Sequence, residues 1–158
     1  NAYRVKRNIS ELAGRYFLLH RVHHSYSPLL EEILAQHQQE DKYIKAQFYS
    51  NHLVVAVIKD KQLQLVQSFN YRTTEDVLYY LLNTAQQFQL ETHSTPLEIS
   101  GLFDPGSGLH GQLQQLFDQI FFDELPACSM RNTITEAGYP AHYFTPFFKL
   151  AQHEDHIG

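Results

Sequence analysis

The sequence predicts one mixed α/β domain, and three observations support it. The 158 residues, 43% of them hydrophobic, suit a single globular unit with a sizeable core. From Tyr43 to Tyr71 three strand-like stretches follow one another with only short turns between them. Beyond Thr73, segments with helical spacing alternate with short apolar runs, the pattern of strands joined through helices. The expected architecture is a mixed five-stranded sheet, three antiparallel strands and then parallel ones, with flanking helices.

Near the start, "NISELAGRYF" reads as a short helix: Asn8 or Ser10 can cap it, Glu11 lies in its first turn, and it should end near Gly14 to Phe17. Two short strands, "YRV" and "RVHHSY", are expected on either side of it. In "SPLLEEILAQHQQ", Ser27 can cap, Pro28 holds the favoured first helical position, and Leu29, Leu30, Ile33 and Leu34 make an apolar face. The strands "YIKAQFYS", "HLVVAVIKD" and "KQLQLVQSFNY" come next, the last two joined at Asp60-Lys61. The outer two alternate and the second is continuously apolar, which predicts a meander whose middle strand is covered on both faces.

In "TTEDVLYYLLNTAQQFQL", Thr73 and Asp76 approximate a capping box, and Val77, Leu78, Leu81, Leu82, Ala85 and Phe88 form one stripe. After Pro96, "LEISGLF" reads as a strand, "GLHGQLQQLFDQ" as a helix and "IFFDELP" as another strand. The aromatic-rich "YPAHYFTPFFKLAQ" should dock as a helix closing one face of the sheet, disturbed by Pro146. Residues 3–152 are expected to form the domain and 153–158 a flexible tail. Asn1-Ala2, without an initiator methionine, reads as a tag remnant in front of part of a longer protein.

A net charge of -5 supplies no basic field to collect phosphates, so nucleic acid is not an expected partner. The apolar run Leu53 to Ile58 is far short of the roughly 20 residues that cross a bilayer. A membrane is therefore not expected either. The single cysteine, Cys128, can form no intrachain disulfide and has no companion for zinc, which suits a reducing cytoplasm.

Local motifs offer little chemistry. "GSGLHG", Gly106 to Gly111, fits the Gly-x-Gly-x-x-Gly pattern between a strand and a helix. A dinucleotide site, however, needs that loop to open a run of parallel strands, and Asp123 follows too soon to hold a ribose. The loop reads as a flexible helix start. Of ten histidines, His20, His23 and His24 cluster at the front and His153 and His156 at the end, and no cysteine or carboxylate pair completes a metal set beside them. Cys128 lacks an activating context, and no Gly-x-Ser-x-Gly elbow is present.

Three meandering strands followed by helix, strand, helix, strand is the organisation of the ribonuclease-H-like unit that actin-like ATPases use twice. The segments "HHSYSPLLEEIL", "FYSNHLVVAVIKDKQLQLVQSFNYRTTEDVLYYLL" and "TPLEISG" resemble the C-terminal half of a family of Bacteroidetes proteins, a domain of unknown function with an actin-like ATPase fold. "QSFNYRTTEDVLYYLL" is the most distinctive part, and the likeness extends from about His23 to Leu150.

In nucleotide-binding members of that fold, the first hairpin of the second half carries an Asp, glycines and a Thr, so that a carboxylate acts through Mg²⁺ while backbone amides hold phosphate. Here the resemblance places Gln47-Phe48-Tyr49-Ser50-Asn51-His52, without acid or glycine. The Gly-rich adenosine-side turn corresponds to Ser100-Gly101-Leu102-Phe103. The residues left to touch a ligand are Ser50, Asn51, Gly101, Asp104, Gly106, Ser107 and Gly108. The missing acid also argues against a ribonuclease-H-type nuclease. The expectation is a non-catalytic actin-like domain with degenerate nucleotide motifs and no cofactor or metal, holding a protein partner or its own N-terminal domain. The alternative is a divergent nucleotide-binding protein or ATPase whose essential residues lie upstream.

Overall fold

A computed structural model describes residues 7–16, 26–36, 39–123, 125 and 129–155. The first two helices are α1, Arg7–Tyr16, and α2, Ser27–Gln36. Strand "YRV" and all of "RVHHSY" except Tyr26 lie outside the described residues, and Tyr26 is in a turn. The meander follows as β1, Lys42–Phe48, β2, His52–Lys59, and β3, Gln62–Asn70. Asp60 and Lys61 both take positive φ, 53° and 60°, as the twist of a two-residue hairpin demands.

Next come α3, Thr74–Gln87, β4, Leu97–Gly101, α4, Gly108–Leu116, and β5, Ile120–Phe122. The sheet order is β3-β2-β1-β4-β5, antiparallel within the meander and parallel from β1 through β4 to β5. This is the mixed five-stranded sheet expected from the sequence. The capping box is complete: the Thr73 side chain accepts from the Asp76 N–H while the Asp76 carboxylate accepts from the Thr73 N–H. Val77, Leu81 and Ala85 of α3 are buried, whereas Leu82, assigned to the same stripe, is exposed.

The sheet has two different faces. On one, Ile44, Ala46 and Phe48 of β1 join Leu53, Val55 and Val57 of β2, Leu97 and Ile99 of β4, and the buried sides of α3 and α4 in the main core. Each large aliphatic side chain enclosed there contributes about 1.5–3 kcal/mol by leaving water. On the other, α2 lays Leu29 and Ile33 over Tyr43, Val54, Ala56 and Ile58.

β1 departs from its expected place. It alternates in sequence as a half-exposed outer strand would, yet every residue from Tyr43 to Phe48 is buried. The reason is the parallel pairing with β4, Ile44↔Leu97 to Phe48↔Gly101, which makes β1 the centre of the sheet. Its polar side is roofed by α2 and the C-terminal helix.

Two features of the C-terminal part also differ from expectation. A helix α5, Ser129–Glu136, forms in "SMRNTITE", where Met130 and Ile134 are the only two apolar residues to announce it. A 3₁₀ turn, Ala141–Phe144, leads into α6, Thr145–Asp155. Pro146 is in the first turn of α6, where its missing N–H leaves no bond unmade, so it starts the helix instead of disturbing it. The helix continues past residue 152 to Asp155. Among the described residues, no helix is long and apolar enough to cross a membrane.

Candidate functional site

The roofed side of β1 carries Tyr43, Lys45 and Gln47 into the layer between the sheet and helices α2 and α6. Parallel pairing sets Lys45 beside Glu98 of β4 and Gln47 beside Ser100. Glu32 comes down from α2, Asp123 follows β5, and Lys149 reaches in from α6. The Lys45 ammonium lies 2.6 Å from Glu32 Oε1, 2.5 Å from Glu98 Oε1 and 3.1 Å from Asp123 Oδ2. Lys149 donates to the same Glu32 Oε1 at 2.5 Å and to both Asp123 oxygens at 2.7 and 2.6 Å. The Tyr43 hydroxyl donates to Glu98 Oε2.

Burial alone would pull the Lys45 pKa down, but Asp123, Glu32 and Glu98 together outweigh it and hold the pKa above its ordinary value. Lys45 therefore remains an ammonium although its side chain is only 1% exposed. Burial and the neighbouring Glu98 carboxylate push the Tyr43 hydroxyl well up, so it stays a neutral donor. One oxygen from each of Glu32, Glu98 and Asp123 lies within 4.8 Å of the others, an all-oxygen set of the type that hard cations use. Here the two lysines hold those oxygens.

A cavity of about 10 Å³, room for one water-sized occupant, is walled by Glu32, Lys45, Gln47, Ser100, Asp123 and Lys149 among others. Ser100 is 1% exposed and, among the described residues, its Oγ has no hydrogen-bond partner. On the opposite side of β5, a wider groove of about 390 Å³ is lined by His110, Gln114, Phe117, Asp118, Ile120 and Phe122.

The residues singled out from the sequence lie at another place, the carboxyl ends of β1 and β4. Ser50 and Asn51 are exposed in the β1–β2 turn, where the Asn51 carbonyl accepts from the Tyr71 N–H at 3.0 Å. Gly101 has φ +82°, and a Cβ there would sit 2.1 Å from the Phe48 carbonyl oxygen, so only glycine permits the two strands to approach. Asp104 Oδ1 accepts from the Gly106 N–H at 2.8 Å, and the Asp104 carbonyl accepts from the Ser107 hydroxyl at 2.6 Å. Ser107 caps α4 by accepting from the His110 N–H, and Gly108 opens that helix onto free space. The two groups thus share one end of the sheet, and the polar atoms of Asp104 and Ser107 shape their own loop.

The chain from residue 1 to 120 matches a family described as a protein of unknown function, DUF3822. The chain belongs to this family. The DUF3822 chain is similar in structure to a protein of Bacteroides thetaiotaomicron VPI-5482 described as having an actin-like ATPase fold and unknown function, with TM-score 0.64 and 23% identity. The alignment covers 73% of this chain and 45% of that one, so the chain spans less than half the length of its structural neighbour. The fold is actin-like. Pelota of Archaeoglobus fulgidus aligns over 83% of this chain and 42% of its own, with TM-score 0.38 and 9% identity. No curated protein matches the chain.

Lys45, Glu98, Glu32, Asp123 and Lys149 were not among the sequence candidates. Their one signal is a lysine in the middle of "YIKAQF" and a glutamate in the middle of "LEIS", opposite charges in strands that pair. Glu32, Asp123 and Lys149 resemble ordinary surface charges in sequence, and only the packing of α2 and α6 reveals them. The clusters His20, His23, His24 and His156, and Cys128, lie outside the described residues.

Proposed function

We propose that this DUF3822 chain is a non-catalytic actin-like domain that serves as a protein-interaction or assembly module. The observation that supports it is the state of the β1–β2 turn, where phosphate would have to be gripped. The Tyr49 ring stacks on His52 at 4.4 Å, its hydroxyl accepts from Gln47 at 3.0 Å, and its carbonyl accepts from the Tyr71 hydroxyl at 2.7 Å. Aromatic side chains tied in this way fill the space that a phosphate needs and offer no carboxylate for Mg²⁺. The C-terminal part also exposes Tyr139, Phe147 and Leu150, apolar surface suited to a protein partner or to another domain of the same protein.

The placement of Ser50, Asn51 and Gly101 to Gly108 together at the carboxyl ends of parallel strands favours a second reading, a divergent nucleotide-binding protein, because open α/β sheets bind ligands there. Calorimetric titration of the longest natural form with ATP and Mg²⁺, followed by a phosphate-release assay, separates the two. The interaction module gives neither heat nor phosphate. Micromolar binding with turnover would replace it by the second reading.

A further inference from the structure

We infer that Glu32, Asp123 and Ser100 form a divalent-cation site, and that Lys149 of α6 is the built-in cation filling it until that helix lifts. The inference is separate from the proposed module role and concerns the opposite side of β1 from the main core. Three features meet at one point. Carboxylate oxygens of Glu32 and Asp123 are close enough to bind one ion, while Glu98 beside them stays held by Lys45 and Tyr43. Lys149 binds Glu32 Oε1 and both Asp123 oxygens, so its ammonium takes the very atoms a metal would use. The Ser100 hydroxyl, buried and without a partner among the described residues, lies in the wall of the same small cavity as a ready neutral ligand.

Lys45 and Lys149 differ in a way that suits this division of labour. Lys45 grows from the central strand and is enclosed at 1% exposure, whereas Lys149 is 19% exposed on α6, the last described helix. Withdrawing α6 removes one ammonium and frees its volume for an ion with its waters, while Lys45 stays in place. A divalent ion then brings two positive charges to Glu32 and Asp123 where Lys149 brought one. Carboxylate and hydroxyl oxygens select Mg²⁺, Mn²⁺ or Ca²⁺ over the softer metals that want thiolate or imidazole. The consequence is coupling: the ion and the docked helix exclude each other, so metal would set whether α6 is seated or released.

The test uses Mn²⁺, read by electron paramagnetic resonance of the free ion, with the native chain and K149A, which removes both the ammonium and the volume of the side chain. If α6 is lifted about 1% of the time, removing the competing lysine tightens Mn²⁺ binding about 100-fold. In that background, D123N should abolish the gain and S100A should reduce it about tenfold. Native-strength binding by folded K149A overturns the inference, as does tight binding that survives D123N. Should K149A be unfolded in EDTA, recovery of its circular dichroism on adding Mn²⁺ supports the site. Failure to recover with Mn²⁺ counts against it, because the lysine would then be needed for more than its charge.

Discussion

The two faces of the sheet solve the same packing problem with different materials. The face under α3 and α4 is closed by Val77, Leu81, Ala85 and Leu113 against strand residues of the same apolar kind. The face under α2 and α6 encloses Lys45 between Glu32, Glu98 and Asp123, at the edge of a smaller apolar cluster. Apolar contacts tolerate some misfit because dispersion is non-directional, whereas buried charges need each partner at a set distance. The first face therefore holds the fold, and the second fixes how particular helices sit on it.

Breaking the charged face should have the largest effect. Lys45→Met keeps the length of the side chain but leaves three enclosed carboxylates with Lys149, which should cost about 3–5 kcal/mol in chemical denaturation. Adding Glu98→Gln should recover part of the loss, since fewer negative charges then lack an ammonium. A single-variant cost under about 1 kcal/mol would show the cluster to be solvated and would dissolve the contrast between the faces.

The matching change on the apolar face is Leu81→Ala, where a fully buried side chain packs in the main core. A cost of about 3 kcal/mol is expected from lost transfer energy and the cavity left behind. The sharper difference is in salt dependence. Denaturation midpoints in increasing NaCl should keep the same gap to the native chain for Leu81→Ala, because no charge is involved.

The contrast also explains what could be read from the sequence. The alternation noted in the first strand corresponds to Ile44, Ala46 and Phe48 facing the main core, and the stripe on α3 was visible apart from Leu82, because apolar burial leaves a periodic trace. Thr73 and Asp76 revealed the start of α3 because a capping box is local. Lys45 was hidden for the opposite reason: its burial depends on β4, α2 and α6, elements outside its own strand whose packing no local pattern reveals, and a lysine in a strand ordinarily faces water. Helix α5 escaped because "SMRNTITE" has only Met130 and Ile134 to mark a face, and α6 was misjudged at Pro146 because proline at a helix start looks the same as proline within one.

A smaller effect tests the cap on the apolar face. Thr73→Ala removes the oxygen that accepts from the Asp76 N–H and should lower stability by about 1 kcal/mol, with the loss of helicity confined to the first turn of α3. Hydrogen exchange at the amides of residues 74–77 gives the local readout. Unchanged protection there would mean that tertiary packing alone holds the turn.

His142 lies where the two faces meet, and its effect should be the smallest. Its ring stacks on Phe122 at 4.5 Å and its Nε2–H donates to the Phe103 carbonyl at 2.8 Å, both residues of the apolar side, while Asp123 belongs to the charged cluster. Burial depresses its pKa below the ordinary 6.5, and the Phe103 carbonyl and Asp123 offset only part of that. The folded chain therefore binds fewer protons than the unfolded one in this window, so stability is present above pH 6.5 and is lost as pH falls through the lower folded value. His142→Gln keeps a donor for Phe103 but cannot titrate. Melting curves between pH 7.5 and roughly 5 should fall less steeply for this variant than for the native chain. Parallel slopes would place the acid sensitivity in the carboxylates of the other face, and the apolar side would then have no titrating group of consequence.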